Sequence, residues 1–419
     1  MKYKLILLLF LSVFFISCNN KDSQSEKETQ NLLKAGRWRA SLQIDATQAE
    51  LEIPFIINFI NDSGIYRAEI INADERIQIS EISLHNDSVF IMLPVFDSEI
   101  KARIHNDSLV GKWFNYVKGD YFMPFNACFD DSIRFHPKDN NANLGDVNGR
   151  WFAEFSPAKE GSSNAIGEFT QNGSKVIGTF ITETGDYRFL EGIVDGQQLL
   201  LSCFDGSHAF LFTSDIVGDS LINGMFYSGK HWKEEWRAAK NDSLFLKDPY
   251  TLTFLKDGYS KFEFEMPDIN GNLVSLTDER FKDKVVIVQI MGSWCPNCVD
   301  ETFLLEELHK EYSDKGLEIM ALAFERFEDT ATIKRNIKRL KEYTGAEYDF
   351  LMAGKVGKES IAAKLPMLNH IMSYPTTIII DKNGDVRKIY TGFSGPGTGK
   401  HYEIFVSELK LLIENMLRE

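Results

Sequence analysis

Cys295 and Cys298, in the run Trp294-Cys-Pro-Asn-Cys298, are the side chains of this sequence best suited to chemistry. Two thiols at that spacing can close a small disulfide ring, with Cys295 attacking a substrate disulfide and Cys298 resolving the mixed disulfide. The β-branched run Val285-Val-Ile-Val-Gln-Ile290 before them predicts a buried strand. The spacing of Leu304, Leu305 and Leu308 after them predicts a helix. The pair then lies where a strand hands over to a helix, whose free N–H groups and positive dipole end favour an anion at Cys295. Pro296 suits the first helical turn, where the N–H it lacks has no partner. Zinc needs four ligands, and a single Cys-x-x-Cys with no His-x-x-x-His nearby does not supply them, so neither metal nor cofactor is called for. His309 and His370 receive no role.

Downstream, Ser373-Tyr-Pro-Thr-Thr-Ile-Ile-Ile-Asp-Lys-Asn-Gly-Asp-Val-Arg-Lys-Ile-Tyr390 predicts a β-hairpin, because Asn383-Gly384 between two β-rich runs is a strong turn signal. Pro375 opens its first strand, at a position open to a cis bond. Strand, Trp-Cys-x-x-Cys, helix, strand, helix, Tyr-Pro-Thr, hairpin and final helix together resemble the thioredoxin fold of the TlpA/ResA-like membrane-tethered thiol:disulfide oxidoreductases. The lead-in Phe262-Glu-Phe-Glu-Met-Pro-Asp-Ile-Asn-Gly-Asn-Leu-Val-Ser-Leu276 is similar to that subfamily's opening hairpin. The resemblance covers residues 261–419. It implies Cys295 as nucleophile, Cys298 as resolving thiol, Pro375 as the cis-proline beside the disulfide, and Glu301 as an acidic residue kept near the site, with Trp294 adjoining. It also implies a reductant in an oxidising envelope, acting on protein disulfides and re-reduced by a membrane electron donor.

Two residues depart from that pattern. Gln289 stands where many thioredoxins carry a buried acid, and a glutamine cannot titrate. The proton of Cys298 is therefore assigned to Glu301 or to a water. Thr302 replaces the proline that usually follows the glutamate, which bears on the helix geometry there.

The sequence has 419 residues, 43% of them hydrophobic, enough for about two to four domains. A formal net charge of −15 argues against nucleic acid as a partner, because phosphates would be repelled. Met1-Lys-Tyr-Lys, the apolar run Leu5 to Ile16 and then Ser17-Cys18 read as a signal peptide over 1–17, too short to span a bilayer. Phe15-Ile16-Ser17-Cys18 resembles a bacterial lipobox, which implies lipidation of Cys18 and anchoring in the inner or outer membrane, facing the periplasm. The polar residues that follow make 18–34 a flexible tether.

Residues 35–138 and 148–245 predict two tandem antiparallel all-β modules, barrels or sandwiches, ahead of the α/β thioredoxin fold, with 246–260 as linker. Gly36-Arg-Trp-Arg-Ala40 recurs as Gly149-Arg-Trp-Phe-Ala153, Gly64-Ile-Tyr-Arg67 as Gly185-Asp-Tyr-Arg188, and Asp107-Ser-Leu-Val-Gly111 as Asp219-Ser-Leu-Ile-Asn-Gly224, at offsets of 113, 121 and 112 residues. Their aromatics, among them Trp113, Tyr121, Phe226, Trp232 and Trp236, read first as core. Lining a client pocket is the alternative. Cys128 and Cys203 are expected as buried free thiols rather than an inter-module disulfide. Two further functions compete: a peroxiredoxin-like thiol peroxidase, against which Gly292 stands where that class resembles Thr, and a non-catalytic binding lipoprotein, against which the intact dithiol stands.

Overall fold

A computed structural model describes residues 33–48, 50–138 and 143–419. The expected signal peptide, Cys18 and nearly all of the tether lie outside the described residues. No described helix is long and apolar enough to cross a membrane.

The first part is a nine-stranded antiparallel meander in which Gly36–Gln43 pairs with both Glu52–Asp62 and the last strand, Tyr121–Phe129. Glu75–Ile79 and Glu81–His85 are separated only by Ser80. The former pairs with Ile65–Asn72 and the latter with Ser88–Met92, so the two act as one bent strand. Counted so, nine strands become an eight-membered ring, the even number that an up-and-down antiparallel closure requires. In the second part, Ser163–Asn172 pairs with both Gly149–Phe155 and Lys175–Thr182, and Gly149–Phe155 with Trp232–Lys240. That ring closes without the short spur Gly185–Asp186, which pairs with Lys175–Thr182.

Alternation of apolar and polar residues builds each interior. Trp38, Phe55, Phe125 and Trp113 fill the first, and Trp151, Phe155, Phe180, Phe212 and Trp236 the second. Trp38 Nε1 donates to the Lys34 carbonyl at 3.0 Å, and Trp151 Nε1 to the Val147 carbonyl at 2.8 Å, the same bond at equivalent places in the repeat. The barrels meet where Phe204 packs at a tilt against Phe55, 4.3 Å between ring centres. There the buried Arg134 donates to the carbonyls of Pro54 and Ile71.

Two expectations are corrected. Gly64 begins Ile65–Asn72, whereas Gly185 follows Lys175–Thr182, so their motifs are not repeat-equivalent. The 121-residue offset compares two different connections: Gly64 lies between Glu52–Asp62 and Ile65–Asn72, whereas Gly185 lies in residues 183–189, the longer link between Lys175–Thr182 and Leu190–Asp195. Cys128 is exposed, not buried, because its position on Tyr121–Phe129 points outward. Cys203 is buried, and both thiols are free. Of the aromatics, Trp113, Phe226 and Trp236 are core, while Trp232 is 54% exposed.

The last part is a five-stranded mixed sheet in the order Asp349–Lys355, Leu317–Glu325, Val285–Met291, Thr376–Ile380, Val386–Thr391. The first two neighbouring pairs are parallel and the last two antiparallel. Val285–Met291 lies in the middle and is buried along its whole length. Val285, Ile287 and Met291 face helices α1 (Pro296–Tyr312), α2 (Thr330–Thr344) and α4 (Lys400–Arg418). Val286, Val288 and Ile290 face the side of α3 (Lys358–Lys364). Such two-sided burial explains a run that is apolar at nearly every position.

Candidate active site

The central strand delivers the chain to α1 through Gly292, Ser293 and Trp294. A side chain at 292 would bring Cβ within 2.3 Å of Trp294 Nε1, so the indole can fold back only over a glycine. The threonine that a peroxiredoxin-like site would carry there has no room. Trp294 Nε1 donates to the Phe324 carbonyl at 3.0 Å, and its ring meets Tyr374 edge-on at 5.4 Å.

Cys295 caps α1 in extended conformation, and its Sγ accepts the backbone N–H of Cys298 at 3.3 Å. The helix thus gains a sulfur acceptor where a Ser or Asp oxygen usually sits. Cys295 is 7% exposed and Cys298 fully buried. Burial, the adjoining Cys295 sulfur and Glu301 together push the Cys298 thiol well above its ordinary value. One sulfur is reachable and the other stays protonated behind it.

The Tyr374–Pro375 bond is cis, and the Tyr374 carbonyl accepts from the Cys295 thiol at 3.4 Å. Pro375 therefore lies beside the dithiol, as does Trp294.

Glu301 sits one turn beyond Cys298 and is 1% exposed. Its Oε1 accepts from Thr377 Oγ1 at 2.6 Å and its Oε2 from Gln289 Nε2 at 2.9 Å. Burial pushes this carboxyl up to about 7 against both bonds. Gln289 also donates to the Cys298 carbonyl at 3.2 Å, which ties the acid to the turn that carries the resolving thiol. Thr302 Oγ1 donates back to the same carbonyl at 2.7 Å, and α1 runs unbroken past the missing proline.

Sequence reading missed several residues here. Glu325 is buried and accepts both the N–H and the hydroxyl of Ser293 at 2.8 Å. Arg326 lies 4.1 Å over the Trp294 ring. Both stand at the C-terminal end of Leu317–Glu325, parallel to the strand that carries the cysteines. In a parallel pair those ends converge on one site, so a signal was available.

The second barrel's longer link reaches this site. Thr184 O accepts from Ser373 Oγ at 2.6 Å, and Asp186 Oδ2 from the Gly395 N–H at 2.6 Å. Arg188 grips Asp300 of α1 at 2.5 and 3.2 Å, pairs with Glu75 of the first barrel, and approaches Asp205 at 3.4 Å. Cys295 consequently opens into a cleft of about 830 Å³ bounded by all three parts of the chain. Nothing in the sequence signalled that arrangement.

A strand-to-helix dithiol beside a cis-proline on a mixed five-stranded sheet defines a thioredoxin-like protein. Comparison with known proteins agrees: a family model described as the AhpC/TSA family matches residues 259–389. The thioredoxin-like protein YneN of Bacillus subtilis (strain 168) is 30% identical over 138 residues, 33% of this chain and 73% of that protein. The thiol-disulfide oxidoreductase ResA of Geobacillus thermodenitrificans (strain NG80-2) is 29% identical over 130 residues, 31% of this chain and 66% of that one. A solved thiol-disulfide oxidoreductase from Bacteroides fragilis NCTC 9343 is matched over 35% of this chain and 99% of its own, at 22% identity and a TM-score of 0.26. The chain belongs to the AhpC/TSA-type thioredoxin-like thiol:disulfide oxidoreductases, and it is an enzyme of that class.

Proposed function

We propose that this protein is a membrane-anchored envelope enzyme that reduces protein disulfides through the Cys295-Pro-Asn-Cys298 dithiol. The observation that carries the reading is the asymmetry of that pair: a slightly exposed Cys295 at a helix start, with a fully buried, high-pKa Cys298 behind it. In this reading the chain divides into a signal peptide over 1–17, lipidated Cys18 and tether to 34, modules over 35–138 and 148–245, a joint over 246–260 and the redox domain over 261–419. Lipidation would anchor it facing the periplasm.

Cys295 attacks as thiolate; a Cys295–substrate disulfide forms, and the substrate S–S bond breaks to release one thiolate. Cys298 gives its proton to Glu301 and attacks Cys295 Sγ. The Cys295–Cys298 bond forms and the second substrate thiolate leaves. The released thiolates take up two protons, one of them returned from Glu301, so the substrate gains two electrons and two protons. A membrane dithiol donor must then reduce the enzyme. Pro375 and Tyr374 hold the attacked strand beside Cys295, and Trp294 walls the site.

The first test equilibrates the pair against glutathione or dithiothreitol. A potential of about −250 mV or lower supports the reductant, whereas one near about −120 mV would make it a disulfide donor. The second concerns Glu301. A carboxyl near pH 7 accepts a proton only once ionised, so the resolving rate rises as pH climbs through about 7 and then levels. Glu301→Gln should remove that inflection; an unchanged pH–rate profile would exclude Glu301 as the base.

A further inference from the structure

The chain carries a formal net charge of −15, yet basic side chains with no carboxylate at ion-pair distance line the cleft over Cys295. Lys118 comes from the turn before the first barrel's last strand, and His231 from the turn before the second barrel's last strand, 113 residues on in the repeat. Lys118 Nζ lies 3.2 Å from His231 Nε2. Arg326 faces them from the Trp294 side of the cleft. Among the described residues, none of the three forms an ion pair. The lining's own carboxylates are engaged elsewhere: Glu183 with Lys247 at 3.5 Å, and Asp186 with the Gly395 N–H. His208, also in the lining, is held by Asp205 at 3.1 Å.

Burial, with the charge of Arg326 beside it, pushes the Lys118 ammonium down to about 8 against the pull of Asp205, and burial lowers Arg326 against the charges of Cys295 and Glu325. Desolvated cations that repel one another are uncomfortable until an anion joins them. That anion would lie in the cleft that holds the Cys295 sulfur.

Resting on the proposed reduction of disulfides at Cys295, we propose that this cleft selects anionic disulfides, with Lys118 and Arg326 binding a carboxylate next to the attacked S–S bond and His231 supporting Lys118. The carboxylate is only bound; electrons and protons move as in the exchange above. The 183–189 segment, fastened to Ser373 and Gly395, narrows the approach, so the guest is a small carboxylate-bearing disulfide or an extended acidic segment of a polypeptide.

The test uses the full chain with dithiothreitol as reductant and two matched probe pairs. One pair is oxidised glutathione against its carboxyl methyl ester; the other is a short disulfide-linked peptide with Glu flanks against the same peptide with Gln flanks. The acidic member should show a kcat/KM higher by about tenfold or more, the scale of one charge-assisted hydrogen bond. The double variant K118Q/R326Q should bring the ratio close to one, and K118R should keep it. Selectivity confined to the glutathione pair identifies the small-molecule source, and selectivity confined to the peptide pair the polypeptide source. Equal rates for acid and neutral forms in the wild type, or an undiminished ratio in the double variant, would overturn anion selection while leaving disulfide reduction standing. If no probe is reduced although Cys295 and Cys298 titrate as free thiols, the underlying reading fails as well.

Discussion

The two barrels are built alike and placed differently. Each closes a ring of antiparallel strands over a buried tryptophan whose N–H returns to a carbonyl four residues back. In the first, Ile65–Asn72 and Glu75–Ile79 are joined by Ala73-Asp74 alone. In the second, the equivalent connection is 183–189, and it touches the cis-proline loop and α1. The ring supplies the core and the loop sets where the ring sits, so a duplicated scaffold can acquire a new contact without altering its core.

The largest test of that contrast is Arg188, whose guanidinium is buried. Burial opposes its charge, but Asp300, Glu75 and Asp205 hold it fully protonated. Arg188→Met would leave those carboxylates without their cation and should cost about 3–5 kcal/mol in unfolding free energy. Arg76, at the matching turn of the first barrel, is exposed and, among the described residues, bonded only to the carbonyls of Ala73 and Glu75, so Arg76→Met should stay within about 0.5 kcal/mol by denaturant titration. Equal losses would erase the distinction between the two turns.

Trp38→Ala and Trp151→Ala test the likeness. Both indoles are fully buried, and each truncation should cost about 3–5 kcal/mol, with the two values agreeing within about 1 kcal/mol. A large disparity would mean that one ring is far less well filled than its repeat implies.

Replacing 183–189 by a two-residue turn should leave both rings folded and raise the alkylation rate of Cys295 by about tenfold, since the segment that shields it is gone. An unchanged rate, read by mass spectrometry, would show that the segment does not gate the thiol. Ser373→Ala removes the bond to Thr184 O and a longer one, 3.2 Å, to the Tyr374 carbonyl. It should lower stability by about 1 kcal/mol and raise the same rate slightly.

Much of the redox domain was legible in the sequence. The strand of 285–291, the helix after Cys298, the hairpin at Asn383-Gly384 and the position of Pro375 are local signals, and the structure carries each. The barrels were legible as repeats, because Gly36/Gly149 and Asp107/Asp219 open equivalent strands. The Gly64/Gly185 match misled, since a short motif carries no record of which turn it occupies. Glu325, Arg326 and Lys118 were not found, because each meets the site from a segment remote in sequence from the cysteines.

By itself, the sequence determined the chemistry and the local elements: thiol spacing, hydrophobic period and turn residues act over a few bonds and need no partner. Only the tertiary structure decided what surrounds the dithiol. Burial of Glu301, the ring closures and the cationic cleft depend on segments brought together across long stretches of chain, and their free energy comes from desolvation and charge in a shared interior, which no local pattern encodes.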